Sequence, residues 1–250
     1  MIAFITGATA GIGQATAELF AKNGYNIIIT GRRKERLDEF SKELKTKYKV
    51  DVLSLNFDVR HLKEVETAIA SIPENWKKID VLLNNAGLAV GLNPIQEGVI
   101  DDWERMIDTN IKGLLYMTRT LAPIMIKNGG GHIINLGSVA GKEVYANGNV
   151  YCGTKFAVDA ISKGMRMDMV AHNIKVTAIH PGMVETEFSV VRFKGDEERA
   201  KNAYKGMQPL TAEDIADTIY WCASRPAHVN INDVVLMPTA QASATIVVRK

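Results

Sequence analysis

The chain has few cysteines, nearly balanced charges and no long apolar run. Only two cysteines, Cys152 and Cys222, occur in 250 residues, so neither a disulfide framework nor a zinc site is indicated. The 30 lysines and arginines barely outnumber the 28 aspartates and glutamates, which gives no argument for a nucleic-acid partner. No apolar run approaches the roughly 20 residues that a membrane-spanning helix needs. We therefore expect no metal, nucleic acid or membrane among the partners, and a reducing, cytoplasmic location.

Short β-branched runs alternate with longer helical patterns along the chain. The first run, in MIAFITGATAGIG, leads into glycines without a preceding basic segment, so we interpret it as a strand rather than a signal peptide. The predicted strands cover residues 2–6, 26–30, 50–57, 80–84, 132–136, 175–179 and 233–236. The predicted helices cover residues 12–23, 34–47, 62–72, 100–127, 150–172 and 212–223. This alternation predicts an α/β fold, a doubly wound, seven-stranded parallel sheet with helices on both faces, in a single domain over residues 1–250.

A glycine-rich segment joins the first strand to the first helix. FITGATAGIGQATAELF places Gly7, Gly11 and Gly13 at this junction, where glycine allows a tight turn and lets a phosphate approach the backbone N–H groups. The helix amino terminus adds partial positive charge. The segment therefore predicts a dinucleotide phosphate site, although a plain glycine-rich turn would show the same spacing.

Two arginines follow the second strand, where a ribose-binding residue is expected. A carboxylate there would accept hydrogen bonds from a ribose 2′-hydroxyl, whereas TGRRKERL offers Arg32 and Arg33. Cations at the start of a helix oppose its dipole, so something else should hold them there. The pair predicts NADP rather than NAD, the alternative being two solvated charges.

Tyr151 and Lys155 lie one helical turn apart in VYCGTKFAV. Four residues along a helix place both side chains on one face. An ammonium beside a phenol favours the phenolate, which lowers the tyrosine pKa and makes the phenol a proton donor and acceptor near neutral pH. A half-buried aromatic beside a solvated lysine is the alternative.

With the motifs in this order, the chain resembles the short-chain dehydrogenase/reductase family over nearly its whole length. The resemblance implies a Rossmann fold, a nicotinamide cofactor and an alcohol–carbonyl reaction. The motifs that carry it are Thr6-Gly7-x-x-x-Gly11-Ile12-Gly13, Asn84-Asn85-Ala86-Gly87, Asn110, Ser138, Tyr151-x-x-x-Lys155 and Pro181-Gly182.

The resemblance implies roles for four catalytic residues. Tyr151 would protonate the substrate oxygen in reduction, or take its proton in oxidation, while hydride passes to or from the nicotinamide. Lys155 would lower the pKa of Tyr151 and hydrogen-bond the nicotinamide ribose. Ser138 would hold the substrate oxygen, and Asn110 would hold a water that relays protons to Lys155. Ser138 as a simple cap and Asn110 as a helix bend are the alternatives.

The cofactor assignments extend along the carboxyl ends of the strands. Asp58 is expected to accept a hydrogen bond from the adenine amino group, with the Val59 backbone alongside. By resemblance, the loop HPGMVET contacts the nicotinamide carboxamide and, through Thr186, a phosphate. The full set expected to bind the cofactor is Gly7, Thr9, Gly11, Ile12, Gly13, Arg32, Arg33, Asp58, Val59, Asn85, Ala86, Gly87, Tyr151, Lys155, Pro181, Gly182, Val184 and Thr186.

Segments of the last third indicate the substrate class. TEFSVVRFKGD, LTAEDIADTIYW, RPAHVNIND and VLMPTAQ resemble NADP-dependent 3-hydroxy acid dehydrogenases, which act on serine, L-allo-threonine and related acids and, in reverse, on malonic semialdehyde. A carboxylate substrate needs a cation, and Arg192 offers a planar fork that Lys194 does not. We therefore expect Ser138, Tyr151 and Arg192 to bind substrate; a solvated Arg192 is the alternative.

Three further expectations concern the lid, the assembly and competing functions. Residues 188–210 form a charged segment that is expected to close over the substrate. Apolar residues on second faces of the helices at 100–127 and 150–172, together with the resemblance, predict a homotetramer, and the tail TAQASATIVVRK is expected to reach a neighbouring subunit. A broad carbonyl reductase of small ketones or diketones and a non-catalytic nucleotide-sensing protein stay open as alternative functions.

Overall fold

Seven strands form one sheet in which every neighbouring pair is parallel. The computed structural model describes residues 1–250, and the strands lie in the order β3-β2-β1-β4-β5-β6-β7. Their bounds are β1 Ile2–Ile5, β2 Asn26–Gly31, β3 Val52–Asn56, β4 Val81–Asn84, β5 Gly131–Leu136, β6 Ile174–Pro181 and β7 Asp233–Leu236. The predicted sheet and all seven strands are confirmed, although β3 is shorter at both ends than the predicted 50–57.

Nine α-helices accompany the sheet. Their bounds are α1 Gly11–Lys22, α2 Lys34–Tyr48, α3 Leu62–Ala70, α4 Ile100–Ile107, α5 Leu114–Lys127, α6 Asn149–Met169, α7 Glu187–Arg192, α8 Glu197–Asn202 and α9 Ala212–Ala223. The predicted helix at 100–127 is interrupted by a π-helical segment, Asp108–Gly113. The predicted helix at 150–172 ends in a 3-10 turn, Val170–His172. None of the helices combines the length and apolar character that crossing a bilayer requires.

The sheet separates two apolar cores because successive strand residues point to opposite faces. In β1, Ala3 and Ile5 join one core while Ile2 and Phe4 join the other. The first core includes residues of α1, α2 and α9, and the second includes residues of α3, α5 and α6. Helices therefore cover both faces, which accounts for the continuously apolar strands.

The strand order reverses at β1, whose neighbours are β2 on one side and β4 on the other. The connections that follow β1 and β4 leave the sheet in opposite directions, so a crevice opens beyond their carboxyl ends. A cavity of about 360 Å³ lies there, which is within the usual range for small-molecule sites.

Candidate active site

The cavity collects residues from almost every polar segment that follows a strand. It is lined by all the residues expected to bind the cofactor except Gly13, which lies behind the loop. Ser138 and Phe188 extend the lining toward one end, and Glu187 lies beside the arginines at the other. The structure therefore brings the predicted set together around one space.

The glycine loop adopts a conformation that few other residues tolerate. Gly7 and Gly11 have φ values of +67° and +55°, in the left-handed region that favours glycine. A Cβ atom on Gly13 would lie 2.4 Å from the Gly7 carbonyl oxygen and 2.5 Å from the Asn85 amide nitrogen. The conformation of the turn thus depends on these glycines. Gly7 and Gly11 also line the cavity, which a glycine-rich turn without a binding role would not explain.

Asn85 and Thr6 fix the loop against the end of β4. The Asn85 side-chain amide donates to the carbonyl oxygens of Thr6 and Gly7 at 2.8 and 3.1 Å. The Thr6 hydroxyl accepts from the backbone N–H groups of Asn85 and Ala86 at 3.0 and 2.9 Å. Because each segment donates or accepts hydrogen bonds through a side chain that reaches the other, the glycine loop and the NNAG segment form one rigid edge of the cavity.

Arg33 is held at the amino terminus of α2 by partners from two other segments. Its Nη2 donates to the Thr9 hydroxyl at 3.0 Å, and its Nη1 donates to the Glu187 carboxylate at 2.9 Å. Arg36 donates to the other Glu187 oxygen at 2.8 Å. Hydrogen bonds from Arg33, and then from Arg36, hold the pKa of Glu187 below its ordinary value despite partial burial. These contacts hold the two arginines at the amino terminus of α2, where the helix dipole alone would disfavour a cation.

Asp58 is already engaged by a neighbouring cation. Although burial acts to raise its pKa, hydrogen bonds from the Arg60 side chain and backbone keep the pKa of Asp58 below its ordinary value. Arg60 Nη2 lies 2.7 Å from the carboxylate, and Arg32 Nη1 lies 3.8 Å from it. Asp58 still lines the cavity, so its contact with an adenine amino group stays a prediction.

Tyr151 is buried at the other end of the cavity, and its pKa differs from the expectation. Burial raises the pKa of the phenol above its ordinary value, the Tyr145 phenol acts in the same direction, and Ser138 and Arg192 oppose the rise. The expectation that Lys155 lowers this pKa is not met, because the Lys155 ammonium points away and donates to the Leu136 carbonyl oxygen at 2.8 Å. Its nitrogen lies 6.0 Å from the Tyr151 ring centroid.

Burial also makes the Lys155 ammonium a stronger acid than an ordinary lysine. It lowers the pKa of this ammonium to about 8, because no carboxylate compensates the loss of water. Only 6% of the Lys155 surface is exposed. At neutral pH the side chain is thus a cation whose proton is unusually easy to remove, which suits a position on a proton path.

Ser138 combines a cap with a place in the cavity wall. Its hydroxyl accepts from the Ala140 N–H at 3.1 Å and caps the 3-10 turn Val139–Gly141. A hydroxyl that accepts one hydrogen bond retains its own proton for a ligand. Ser138 is therefore a helix cap, as the alternative held, and the capping hydrogen bond fixes its side chain at the Tyr151 end of the cavity.

Asn110 lies at the centre of the π-helical segment and is almost fully buried. Its Oδ1 accepts from the Leu88 N–H at 2.9 Å, and its Nδ2 donates to the Leu88 carbonyl oxygen at 2.8 Å and to the Thr154 hydroxyl at 3.0 Å. Both amide hydrogens are thus taken by protein groups. Single π-turns often occur at functional sites, and this one joins the NNAG segment to α6. The water relay through Asn110 stays a prediction.

The loop after β6 is clamped by a residue from the end of the chain. The Gln241 side chain accepts from the Met183 N–H at 2.8 Å and donates to the Ser243 carbonyl oxygen at 3.0 Å. A Cβ atom on Gly182 would lie 2.3 Å from the Gln241 oxygen. Thr186 caps α7 by accepting from the Phe188 N–H, and its side chain packs against Gly11. The loop therefore has a fixed position beside the glycine loop.

Arg192 lies beside the two tyrosines. Its Nη2 donates to the Tyr145 hydroxyl at 2.8 Å, and its guanidinium carbon lies 5.3 Å from the Tyr145 ring centroid and 5.6 Å from that of Tyr151. Lys194 instead pairs with the Asp102 carboxylate at 2.7 Å. Arg192 is thus half-buried rather than fully solvated, and its guanidinium lies beside the two tyrosines, although Arg192 is not among the residues that line the cavity.

The segment predicted as a lid, residues 188–210, folds into short helices and turns. It contains α7 and α8, and Leu210 pairs with Met183 and Glu185 through backbone hydrogen bonds of 2.9 Å each. The Tyr204 hydroxyl donates to the Val184 carbonyl oxygen at 2.7 Å. The segment covers the Tyr151 end through Phe188, whose ring centroid lies 5.8 Å from that of Tyr151.

A cluster of charged side chains supports Ser138 from beneath. Asp159, His180 and Asp233 bring atoms that could ligate a metal within 4.8 Å of one another. Lys142 Nζ lies 2.9 Å from the Asp159 carboxylate and 2.6 Å from the Asp233 carboxylate, so an ammonium of the protein bridges them. A His180 ring nitrogen lies 3.2 Å from the Ser138 carbonyl oxygen. The cluster therefore helps to fix the backbone of the segment that carries Ser138.

The apolar second faces are mostly explained within one chain. Leu114, Met117, Val158 and Met165 are buried in the core beneath the sheet, whereas Leu115 and Phe156 remain 39% and 40% exposed. The tail folds onto its own chain, because Arg249 donates to the carbonyl oxygens of residues 203 and 205. Contact of the tail with a neighbouring subunit stays a prediction.

Sequence reasoning missed four residues that shape the cavity. Glu187 contacts the predicted Arg33 and Tyr145 contacts the predicted Arg192, whereas Arg36 contacts Glu187 and Gln241 contacts Met183, each pair across a large sequence separation. Glu187 and Gln241 do lie in the segments TEFSVVRFKGD and VLMPTAQ, which indicated the substrate class, but no role was predicted for either residue. No local pattern indicates that Tyr145 meets Arg192.

Comparisons with known proteins agree with this geometry. A family model described as short chain dehydrogenase matches residues 1–197. The chain is 49% identical over 251 residues to an NADP-dependent 3-hydroxy acid dehydrogenase of Salmonella typhimurium, covering 100% of both. It is 48% identical over 240 residues to serine 3-dehydrogenase of Agrobacterium fabrum, covering 96% of this chain and 94% of the relative. Its fold matches the closed form of a serine dehydrogenase complexed with NADP+, with a TM-score of 0.93, 45% identity and full coverage of both chains.

Proposed function

Because the chain belongs to the short-chain dehydrogenase family, we propose that it is an NADP-dependent oxidoreductase acting on small 3-hydroxy acids. It transfers hydride between NADP(H) and the 3-hydroxyl or 3-oxo group of acids such as L-serine, L-allo-threonine and 3-hydroxypropionate or malonic semialdehyde. The observation that carries the proposal is Arg192, which lies 5.6 Å from the Tyr151 ring and thus offers a carboxylate partner beside the proton donor.

The residues of the cavity fit a dinucleotide with a 2′-phosphate. The glycine loop borders the cavity through Gly7, Gly11 and Ile12, at the amino terminus of α1, where backbone N–H groups and the helix dipole favour a phosphate. Arg32 and Arg33 lie at the end of β2, where a negative phosphate finds two guanidinium groups. NADP supplies the hydride acceptor, or NADPH the donor, when bound. The names of the similar enzymes support the same cofactor.

The protein's own residues handle the proton. Tyr151 is protonated at neutral pH, so the phenol carries the proton that a carbonyl oxygen needs during reduction, while its burial, which raises the pKa, makes a stabilising cation necessary for the transfer. Ser138 offers a second hydrogen bond to that oxygen, where negative charge develops. In the oxidation direction Tyr151 must be a phenolate before it can accept the substrate proton, and the Lys155 ammonium stabilises that phenolate when it turns toward the phenol oxygen.

Arg192 distinguishes acids from neutral alcohols. Its guanidinium is held in place by the Tyr145 hydroxyl, and a planar fork of N–H groups fits a carboxylate at two points. A broad carbonyl reductase has no need of such a cation. A nucleotide sensor has no need of Tyr151 and Ser138 converging on the same end of the cavity.

The assembly and the location belong to the proposal as well. We propose a cytoplasmic homotetramer of single-domain subunits, with residues 188–210 as the substrate lid. The exposed Leu115 and Phe156 on α5 and α6 support subunit packing. Sedimentation equilibrium tests the assembly, and a monomeric protein at micromolar concentration would reject it.

The decisive assay is spectrophotometric. Purified protein is mixed with NADP+ and L-serine, L-allo-threonine or 3-hydroxypropionate, and absorbance is followed at the reduced-nicotinamide band. Neutral small alcohols and the reverse reaction with a diketone complete the panel. Turnover restricted to acids supports the proposal. Turnover of diketones alone would support the reductase, and cofactor binding without any turnover would support the sensor.

A further inference from the structure

Glu187 lies between two arginines at the end of the cavity where a 2′-phosphate is expected. Its two carboxylate oxygens lie 2.9 Å from Arg33 Nη1 and 2.8 Å from Arg36 Nη1. Glu187 belongs to the lid helix α7, more than 150 residues further along the chain than either arginine. The contact is therefore formed by tertiary structure and places an anion at a site that attracts anions.

Most N–H groups of the Arg33 guanidinium already form hydrogen bonds within the protein. Its Nε and Nη2 point to Thr9, with donor–acceptor distances of 3.3 and 3.0 Å to the hydroxyl, and Nη1 serves Glu187. A guanidinium has five N–H bonds, so little of the fork remains for phosphate oxygens. A 2′-phosphate that binds Arg33 bidentately must take the place of the carboxylate.

We propose that Glu187 is a cofactor-specificity residue, whose carboxylate occupies the anion position at Arg33 until the 2′-phosphate of NADP replaces it. The inference rests on the proposed function, because it takes Arg33 to be a phosphate ligand. Arg36 contacts Glu187 and not Thr9, so it retains the carboxylate after Arg33 is released. NAD carries no 2′-phosphate and leaves the pair undisturbed.

The exposure of the Arg33–Glu187 ion pair limits how strongly the carboxylate can compete with the 2′-phosphate. The side chains of Arg33 and Glu187 are 42% and 50% exposed. Exposed ion pairs contribute at most about 1 kcal/mol, which corresponds to about a fivefold change in a dissociation constant. Removing the carboxylate charge should therefore tighten NADP binding by about two- to fivefold.

Isothermal titration of NADP+ and NAD+ into Glu187→Gln tests the inference. We expect a two- to fivefold lower Kd for NADP+ and no change for NAD+, because only the phosphate competes. The matched control is Glu35→Gln, an equal charge change two residues from Arg33 on an exposed side chain that forms no ion pair. In this control the Kd for NADP+ should stay at the wild-type value, which separates competition at Arg33 from a general change of field.

A double variant locates the effect. In the background Arg33→Gln, Glu187→Gln should no longer tighten NADP+ binding, since the contested guanidinium is absent. Unchanged or weaker NADP+ binding in Glu187→Gln, an equal gain for NAD+, or a gain that persists without Arg33 would each overturn the inference. Wild-type protein that binds NAD+ as tightly as NADP+ would instead overturn the cofactor assignment itself.

Discussion

Replacing Arg192 by leucine should remove most of the preference for acids. The guanidinium lies 5.6 Å from the Tyr151 ring and donates to Tyr145 at 2.8 Å, so a substrate oriented toward Tyr151 places its carboxylate within reach. Hydrogen bonds to charged groups contribute about 1.5–3 kcal/mol. At 1.4 kcal/mol for each factor of ten, kcat/KM for L-serine or L-allo-threonine should fall about 10- to 150-fold. Partial exposure of Arg192 favours the lower end.

The assay compares two substrate classes in one variant. Values of kcat/KM are measured for a 3-hydroxy acid and for a neutral hydroxy compound of similar size, such as a small hydroxyketone. The matched control is Arg199→Leu, because Arg199 lies on the same lid with its guanidinium 4.6 Å from the Phe193 ring. Arg192→Lys keeps the charge but loses the fork, so an intermediate loss is expected. Equal losses for acids and neutral compounds would refute the carboxylate role.

Three further predictions address the proton and the support of Arg192. Tyr151→Phe should lower kcat by about 10²–10⁴-fold while the Kd for NADP+, measured by titration, stays within about threefold; normal turnover would contradict the mechanism. Tyr145→Phe keeps the ring but removes the hydroxyl that orients Arg192, so KM for hydroxy acids should rise about 2- to 10-fold with neutral substrates unaffected. The folded pKa of Lys155, about 8, lies below the unfolded value, so the unfolded chain binds more protons between pH 8 and 10.5 and folding stability rises with pH there. Urea unfolding of Lys155→Met should show less of this rise than wild type, and parallel profiles would argue against the shift.

Much of the fold was predictable because its signals are local. Apolar, β-branched runs of four to eight residues predicted the strands, and polar residues after β1, β2 and β4 indicated the edge at which a ligand binds. The glycine loop and the Tyr151–Lys155 spacing are likewise short patterns. Each of these patterns involves residues close together in the chain, so it can be recognised in a single sequence.

The site contacts that escaped prediction join distant segments. Glu187 meets Arg33 across 154 positions, and Arg192 meets Tyr145 across 47. The π-helical turn at Asn110 also escaped, because no composition rule distinguishes it from a regular helix. The pKa of Tyr151 was expected to fall from spacing alone, whereas burial and the direction of the Lys155 side chain depend on the packed structure.

The clamp formed by Gln241 has a consequence for shortened forms of the chain. All seven strands are complete by residue 236, yet the backbone N–H of Met183 finds its partner only at residue 241. The sheet therefore does not depend on this hydrogen bond, whereas the position of the loop beside the glycine turn does. A variant truncated after Leu236 should keep the sheet but bind the cofactor less tightly than the full chain.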